Sequence, residues 1–317
     1  MNTKREKRIR VYSCRFVVNI SLFDYIRVHS PRRLNSLFIP FRVFAGFRAF
    51  VVSFGSARMT LRVAWQNSFL PILLLPVFLL LCCSEAPEQK PTPTERIVLA
   101  ELFTWARCPY CPYAARALDS LAKEYRDSIA IIAYHRRIGG DTLSPDLVER
   151  RRSFYYDAGG EPAVLFDGNG PVWTTDPNQN YETYKNYIIG RRNQKSPLRL
   201  YLESSVRADT GIIKTSLVAI DSILATDLRI CTVLYEDSVR FWLPGASDSV
   251  FNRVMRLMIP DQNGIACALA FGDSVTKEVR FTMDHNWNQT QLGVISFVQC
   301  FTTKEVLQSV FKKIGEK

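Results

Sequence analysis

A clustered set of metal ligands is missing from this chain. Its 317 residues hold three histidines and eight cysteines. Only one CxxC spacing occurs, Cys108-Pro109-Tyr110-Cys111. A structural zinc site needs about four ligands, commonly two such pairs, and His135 and His285 stand alone. Neither a metal nor a cofactor is expected. Basic surface is missing too, once the charge is located. The formal net charge is +11, from 41 Lys/Arg against 30 Asp/Glu. Residues 1–58 take twelve of the Lys/Arg and only Glu6 and Asp24 of the acids, leaving 29 and 28 for residues 59–317. A near-neutral body has no basic stripe with which to neutralise phosphates, so nucleic acid is not an expected partner. A membrane-length apolar run is the third absence. The apolar run at 69–81 is short against the roughly 20 residues that a spanning helix needs.

What stands there instead reads as an export signal. "MTLRVAWQNSFLPILLLPVFLLLCC" (59–83) has a short n-region with Arg62, an apolar core and two cysteines. "LLCC" at 80–83 resembles a bacterial lipobox, with Leu80 at −3, Cys82 at −1 and Cys83 as the lipid-bearing residue. Residues 59–83 are therefore read as a lipoprotein signal peptide. Residues 1–58 are read as upstream sequence or a disordered basic extension, with translation starting at Met59. Residues 84–95, polar and proline-bearing, form a flexible tether. The expected location is the bacterial envelope, lipid-anchored. Ser84 after the lipidated cysteine favours the outer membrane, facing the periplasm or the cell surface.

Residues 96–195 follow the order β-α-β-α-β-β-α. "RIVLAELFT" (96–104) and "SIAIIAYH" (128–135) read as buried strands. The helix after CPYC puts Ala114, Leu118, Leu121 and Tyr125 on one face. A second helix is expected over 144–156, with Ser144 as N-cap and Pro145 at its first position. "EPAVLFDGNGPVWTT" (161–175) predicts a hairpin around Asp-Gly-Asn-Gly, and 180–192 a closing helix. This order is a thioredoxin-like topology. It places Cys108 at a helix N-terminus, where unpaired amides favour an anion. Arg107 adds positive charge and Pro109 suits the first helical position. Cys108 is the candidate nucleophile and Cys111 the resolving thiol, since the thiolate is the reactive form. A structural disulfide remains open, although a four-residue loop constrains little chain entropy. The thioredoxin-like resemblance implies a cis-proline facing the pair, here Pro162. Trp105, Tyr110 and His135 are nearby candidates, with a strand-end or surface role the plainer one for His135. CPYC is also the glutaredoxin signature, but "GEP" replaces the expected Thr-Val-Pro and the Gly-Gly lies before the proline. Glutathione is therefore not the favoured substrate.

From residue 196 to 317 the pattern changes to alternating strands, starting with "LRLYLESSVR", which predicts an all-β sandwich. "TKEVLQSVFKKI" (303–314) is expected to be a terminal helix or an extension of the last strand. Cys231, Cys267 and Cys300 lie within predicted strands; three buried thiols are favoured over one disulfide plus a thiol.

"VLAELFTWARCPYCP", "GEPAVLFDG" and "SFVQCFTTKEVLQS" resemble the outer-membrane-protein-28-related bacterial lipoproteins over roughly 96–315. The resemblance implies an α/β thioredoxin-like domain followed by an all-β sandwich domain. The function expected is an extracytoplasmic, membrane-anchored thiol–disulfide oxidoreductase acting on protein thiols and disulfides, with the sandwich engaging an envelope protein. The alternative is a non-enzymatic envelope lipoprotein with a thioredoxin-like adaptor fold and a partner-binding sandwich.

Overall fold

The computed structural model describes residues 94–314 and, before them, five short strands. Strands β1 (Val17–Ile20), β2 (Tyr25–His29) and β3 (Phe38–Pro40) form one antiparallel sheet. Strands β4 (Phe50–Phe54) and β5 (Ala57–Leu61) form a hairpin. The chain divides into units 1–90 and 91–317. Most of the expected signal peptide of 59–83, Cys83 and the tether up to residue 93 lie outside the described residues. Among the described residues no helix is long and apolar enough to cross a membrane.

The unit from residue 91 is mostly β, with a mixed sheet and few helices. Its helices are α1 (Cys111–Tyr125), α2 (Leu147–Tyr155) and α3 (Asn180–Arg192). Strand β6 (Val98–Thr104) lies at the centre of its first part. It runs parallel to β7 (Ile129–His135) and antiparallel to β8 (Ala163–Phe166), which turns through Asp167-Gly168 into β9 (Asn169–Val172). Both faces of β6 are covered, so its sequence is a near-continuous apolar run instead of an alternating one. Val98, Ala100 and Leu102 pack against Ala114, Leu118 and Leu121 of α1 and Tyr184 and Ile188 of α3. On the other face Leu99 and Phe103 join Tyr134, Val148 and Tyr155.

The β7 edge then accepts strands from the second part of the chain. The sheet order is β19-β18-β12-β15-β7-β6-β8-β9. Its new members are β12 (Leu228–Glu236), β15 (Val254–Ile259), β18 (Leu292–Cys300) and β19 (Val306–Lys313). The junction is one parallel register pair, Val254 with Ala133, and the Ala133 amide donates to the Arg253 carbonyl at 2.8 Å. Strand β16 (Ile265–Cys267) also pairs with β12, and β13 (Val239–Arg240) with β14 (Val250–Phe251) makes a small hairpin. Segments 96–195 and 196–317 thus share a sheet. They also share a core, in which Cys231, Val233, Met255 and Phe297 meet Phe103, Tyr134 and Leu165.

A second antiparallel sheet of β10 (Leu198–Arg207), β11 (Thr210–Ala219) and β17 (Ser274–Thr282) packs on β12, β18 and β19 through Leu198, Leu217, Ile230, Val298 and Leu307. Its strands alternate, with Ile213, Thr215 and Leu217 inward and Lys214 and Ser216 outward. That is the pattern of a sheet with one wet face.

Three local expectations are corrected. The second helix starts at Leu147 after Asp146, and Ser144 is not its cap: its hydroxyl instead accepts the His135 amide at 3.3 Å. Pro145 lies ahead of that helix, and its carbonyl accepts the Val148 amide in the turn that leads into it. The 303–314 stretch is neither helix nor extension. It folds back as β19 along β18, with Val310 opposite Ser296.

Candidate functional site

Strand β6 delivers the chain to the cysteine pair. After Thr104 a tight turn forms, with the Cys108 amide donating to the Trp105 carbonyl at 3.1 Å. Cys108 and Cys111 are joined by a disulfide with Cα atoms 5.4 Å apart. Helix α1 begins at Cys111, not at Cys108 or Pro109, and Pro112 occupies its first turn, where a missing N–H leaves nothing unpaired. Cys108 therefore sits one turn ahead of the helix. The first helical amide, of Cys111, points at Cys108 Sγ from 3.1 Å. A hydrogen bond of that kind favours a thiolate over a thiol once the bridge opens. Both cysteines are buried in the bridged state, 1 % and 3 % exposed.

The peptide bond between Glu161 and Pro162 is cis, and the Glu161 carbonyl oxygen lies 3.6 Å from Cys108 Sγ. The loop is held from behind. The Glu161 carboxylate accepts from Arg136 at 3.0 and 3.1 Å and from Arg152 Nε at 3.0 Å. Arg152 also donates to the carbonyls of Asp157 and Gly159. Arg136 follows β7, and its amide bonds to the Thr104 carbonyl at 2.8 Å. One carboxylate thus ties the proline loop to the strand end beside the cysteines. On this side a cavity of about 350 Å³ is bounded by Tyr110, Pro162, Trp173, Thr174, Pro177 and Asn180.

The other named candidates separate by position. Trp105 is half-buried against Gly139, whose φ of +60 and contact with the indole leave no room for a Cβ. Pro109 and Tyr110 are exposed. Arg107 is exposed, and its Nε donates to the Pro244 carbonyl at 2.7 Å, in the loop between β13 and β14. His135 is the last residue of β7, a strand end as expected, but it does not lie at the surface. It is buried, with Nδ1 2.8 Å from Asp141 Oδ2 and its ring edge-on to Phe251 at 5.1 Å. It lines a cavity of about 220 Å³ shared with Trp105, Ala106, Cys111, Phe251 and Arg253.

Four contributors escape a reading of the sequence: Asp141, Arg136, Arg152 and the carboxylate of Glu161. Asp141 lies six residues after His135, and the positive-φ pair Gly139-Gly140 between them turns the chain back. That glycine pair is the local signal that could have paired them. Cys231, Cys267 and Cys300 are free thiols, two buried and one half-buried. Among the described residues no three His, Cys, Asp or Glu side chains gather as metal ligands.

No protein-family profile matches the chain. No curated protein matches it either. Solved structures do. HBP35 of Porphyromonas gingivalis is 16% identical and superposes with a TM-score of 0.60 over 70% of this chain and 76% of that one, a likeness of fold. Protein AGR_C_4864 from Agrobacterium tumefaciens is 14% identical, with a TM-score of 0.47 over 71% of this chain and 97% of its own. A domain of the outer membrane lipoprotein Omp28 from Porphyromonas gingivalis is 12% identical, with a TM-score of 0.29 over 38% of this chain and 88% of its own. The last two are too distant to carry an argument.

Proposed function

We propose that the chain is an extracytoplasmic thiol–disulfide oxidoreductase acting on protein disulfides through Cys108 and Cys111. On this reading residues 96–195 are a thioredoxin-like domain, 196–317 a β-sandwich, and Cys83 carries the lipid that anchors both to the envelope. One observation carries it: a bridged cysteine pair between a central strand and a helix N-terminus, with the Glu161 carbonyl oxygen 3.6 Å from the first sulfur. In the dithiol form the Cys108 thiolate attacks a sulfur of the partner's disulfide and releases one partner thiolate. Cys111, as thiolate, then attacks Cys108 Sγ, re-forms the bridge and releases the second. Two electrons pass from the pair to the partner; the reverse sequence oxidises a partner dithiol. Helix α1 aims its first amide at Cys108, and Pro162 shapes the surface that an extended client meets.

The burial of both sulfurs supports a second reading, in which the bridge stays closed and the molecule is a non-enzymatic adaptor. Turnover separates the two. With a protein dithiol as electron donor, the native chain reduces a protein disulfide substrate, Cys108→Ser abolishes turnover, and Cys111→Ser accumulates the mixed disulfide at Cys108. Absence of turnover and of any trapped mixed disulfide contradicts the oxidoreductase reading.

A further inference from the structure

We propose that His135, positioned by Asp141, accepts the proton of Cys111 when the mixed disulfide is resolved; the inference rests on the oxidoreductase reading above. Resolution needs a thiolate at Cys111, and an unperturbed thiol near pH 7 is mostly protonated. The cavity beside Cys111 is walled by Leu102, Leu118, Ile131 and Ala133, none of which exchanges a proton. His135 lines the same cavity.

The hydrogen bonds around the imidazole fix which nitrogen is free. Asp141 Oδ2 accepts the Ala106 amide at 2.7 Å, and Oδ1 accepts the Leu143 amide at 2.9 Å. Two backbone donors hold this buried carboxyl as an acceptor, so the proton between it and His135 sits on Nδ1. Nε2 then carries the lone pair, and no protein hydrogen bond from the described residues occupies it. The same carboxylate bonds the Ala106 amide of the turn that leads to Cys108, so it sets both the base and the loop.

The remaining charges around the cavity are paired with one another. Arg116 on α1 meets Asp248 at 3.5 Å, and Asp119 on α1 is ion-paired with Arg253. Asp141 is the group committed to the imidazole. In the step, the Cys111 S–H bond breaks and its proton passes to Nε2. The Cys111 thiolate attacks Cys108 Sγ, the Cys108–partner S–S bond breaks, and the partner leaves as thiolate. The Cys108–Cys111 bond has formed, and the imidazolium beside Asp141 gives its proton up to solvent or to the departing thiolate.

The test is alkylation of Cys111 by iodoacetamide in the full chain in detergent, in a Cys108→Ser background. The rate at Cys111 is read by peptide mass spectrometry from pH 5 to 9. The proposal expects the Cys111 profile to carry a second ionisation that depends on His135. His135→Gln removes it and slows alkylation at pH 7 about ten-fold or more, and Asp141→Asn gives an intermediate loss. In a Cys111→Ser background His135→Gln leaves Cys108 alkylation within about two-fold. An unchanged Cys111 profile, or an equal fall at both sulfurs, overturns the proposal. Should the variants fail to fold, the His135 imidazole titration by NMR in the native chain decides. A midpoint that differs between bridged and reduced protein supports the pairing, and the same midpoint overturns it. Alkylation needs no disulfide substrate, so a chain that turns nothing over still reports on His135.

Discussion

Cys231 lies fully buried in β12, and burial pushes its thiol up to about 12 from an ordinary value of 9.0. The folded state therefore holds this proton more tightly than the unfolded chain. The contribution to stability is fully present below about pH 9 and is lost as pH rises toward 12. Urea unfolding from pH 8 to 11 should show a steeper loss in the native chain than in Cys231→Ala; equal slopes would contradict it. Arg151 and Glu101 are also fully buried. They are joined at 2.8 and 3.0 Å, with the Tyr134 and Tyr155 hydroxyls donating to the same carboxylate and Gln299 of β18 accepting from Arg151 at 2.9 Å. Burial raises both tyrosines well above their ordinary value, so they act as donors at all working pH values. Truncating Arg151 to Ala strands a buried carboxylate. The expected loss is about 3–5 kcal/mol in urea unfolding; a loss under about 1 kcal/mol would mean the network contributes little. Nothing local in "VLAELFT" marks Glu101 as a bridging residue, because its partners Arg151, Tyr155 and Tyr134 come from α2 and β7. Cys108 and Cys111 were legible by contrast from their spacing and flanking elements, and Pro162 only through the thioredoxin-like resemblance.

Elements with strong local signals were readable: β6, β7 and α3 fall where apolar runs and helical spacing put them. Strand β15 was not singled out, since "VMRLMI" has half-buried positions at Arg256 and Leu257 and gains its place only by joining β7 to β12. The 303–314 stretch shows helical spacing in isolation and becomes β19 because β18 offers a free edge, a case of tertiary pairing overriding propensity. The Asp167-Gly168 turn shows the reverse dependence. Both residues have positive φ, and a Cβ on Gly168 would stand 1.9 Å from the Lys304 carbonyl oxygen. Asp167 is locked there by the Leu99 amide at 2.8 Å and Arg191 at 2.9 Å. Gly168→Ala should therefore cost at least about 1–3 kcal/mol through strain and collision, read as a lower thermal midpoint. An unchanged midpoint would show that the β18–β19 loop yields freely.

At the scale of the molecule, one sheet and one core run through 96–195 and 196–317 alike. Composition change at residue 196 marks where helices stop, not where packing stops. Unfolding followed by Trp105 and Trp173 should coincide with that followed by Trp242 and Trp287 in single-tryptophan variants; separated midpoints would show two independent cores. The same continuity puts the β13–β14 loop beside the cysteines, through Arg107 on Pro244 and Arg116 on Asp248. The central claim is that Cys108 and Cys111 cycle. The direct measurement is a redox titration of the full chain in defined dithiol buffers, with thiol trapping read at those two residues. The account predicts a reversible two-electron transition between about −270 and −120 mV. A bridge that stays closed below about −300 mV would contradict it and mark the disulfide as structural.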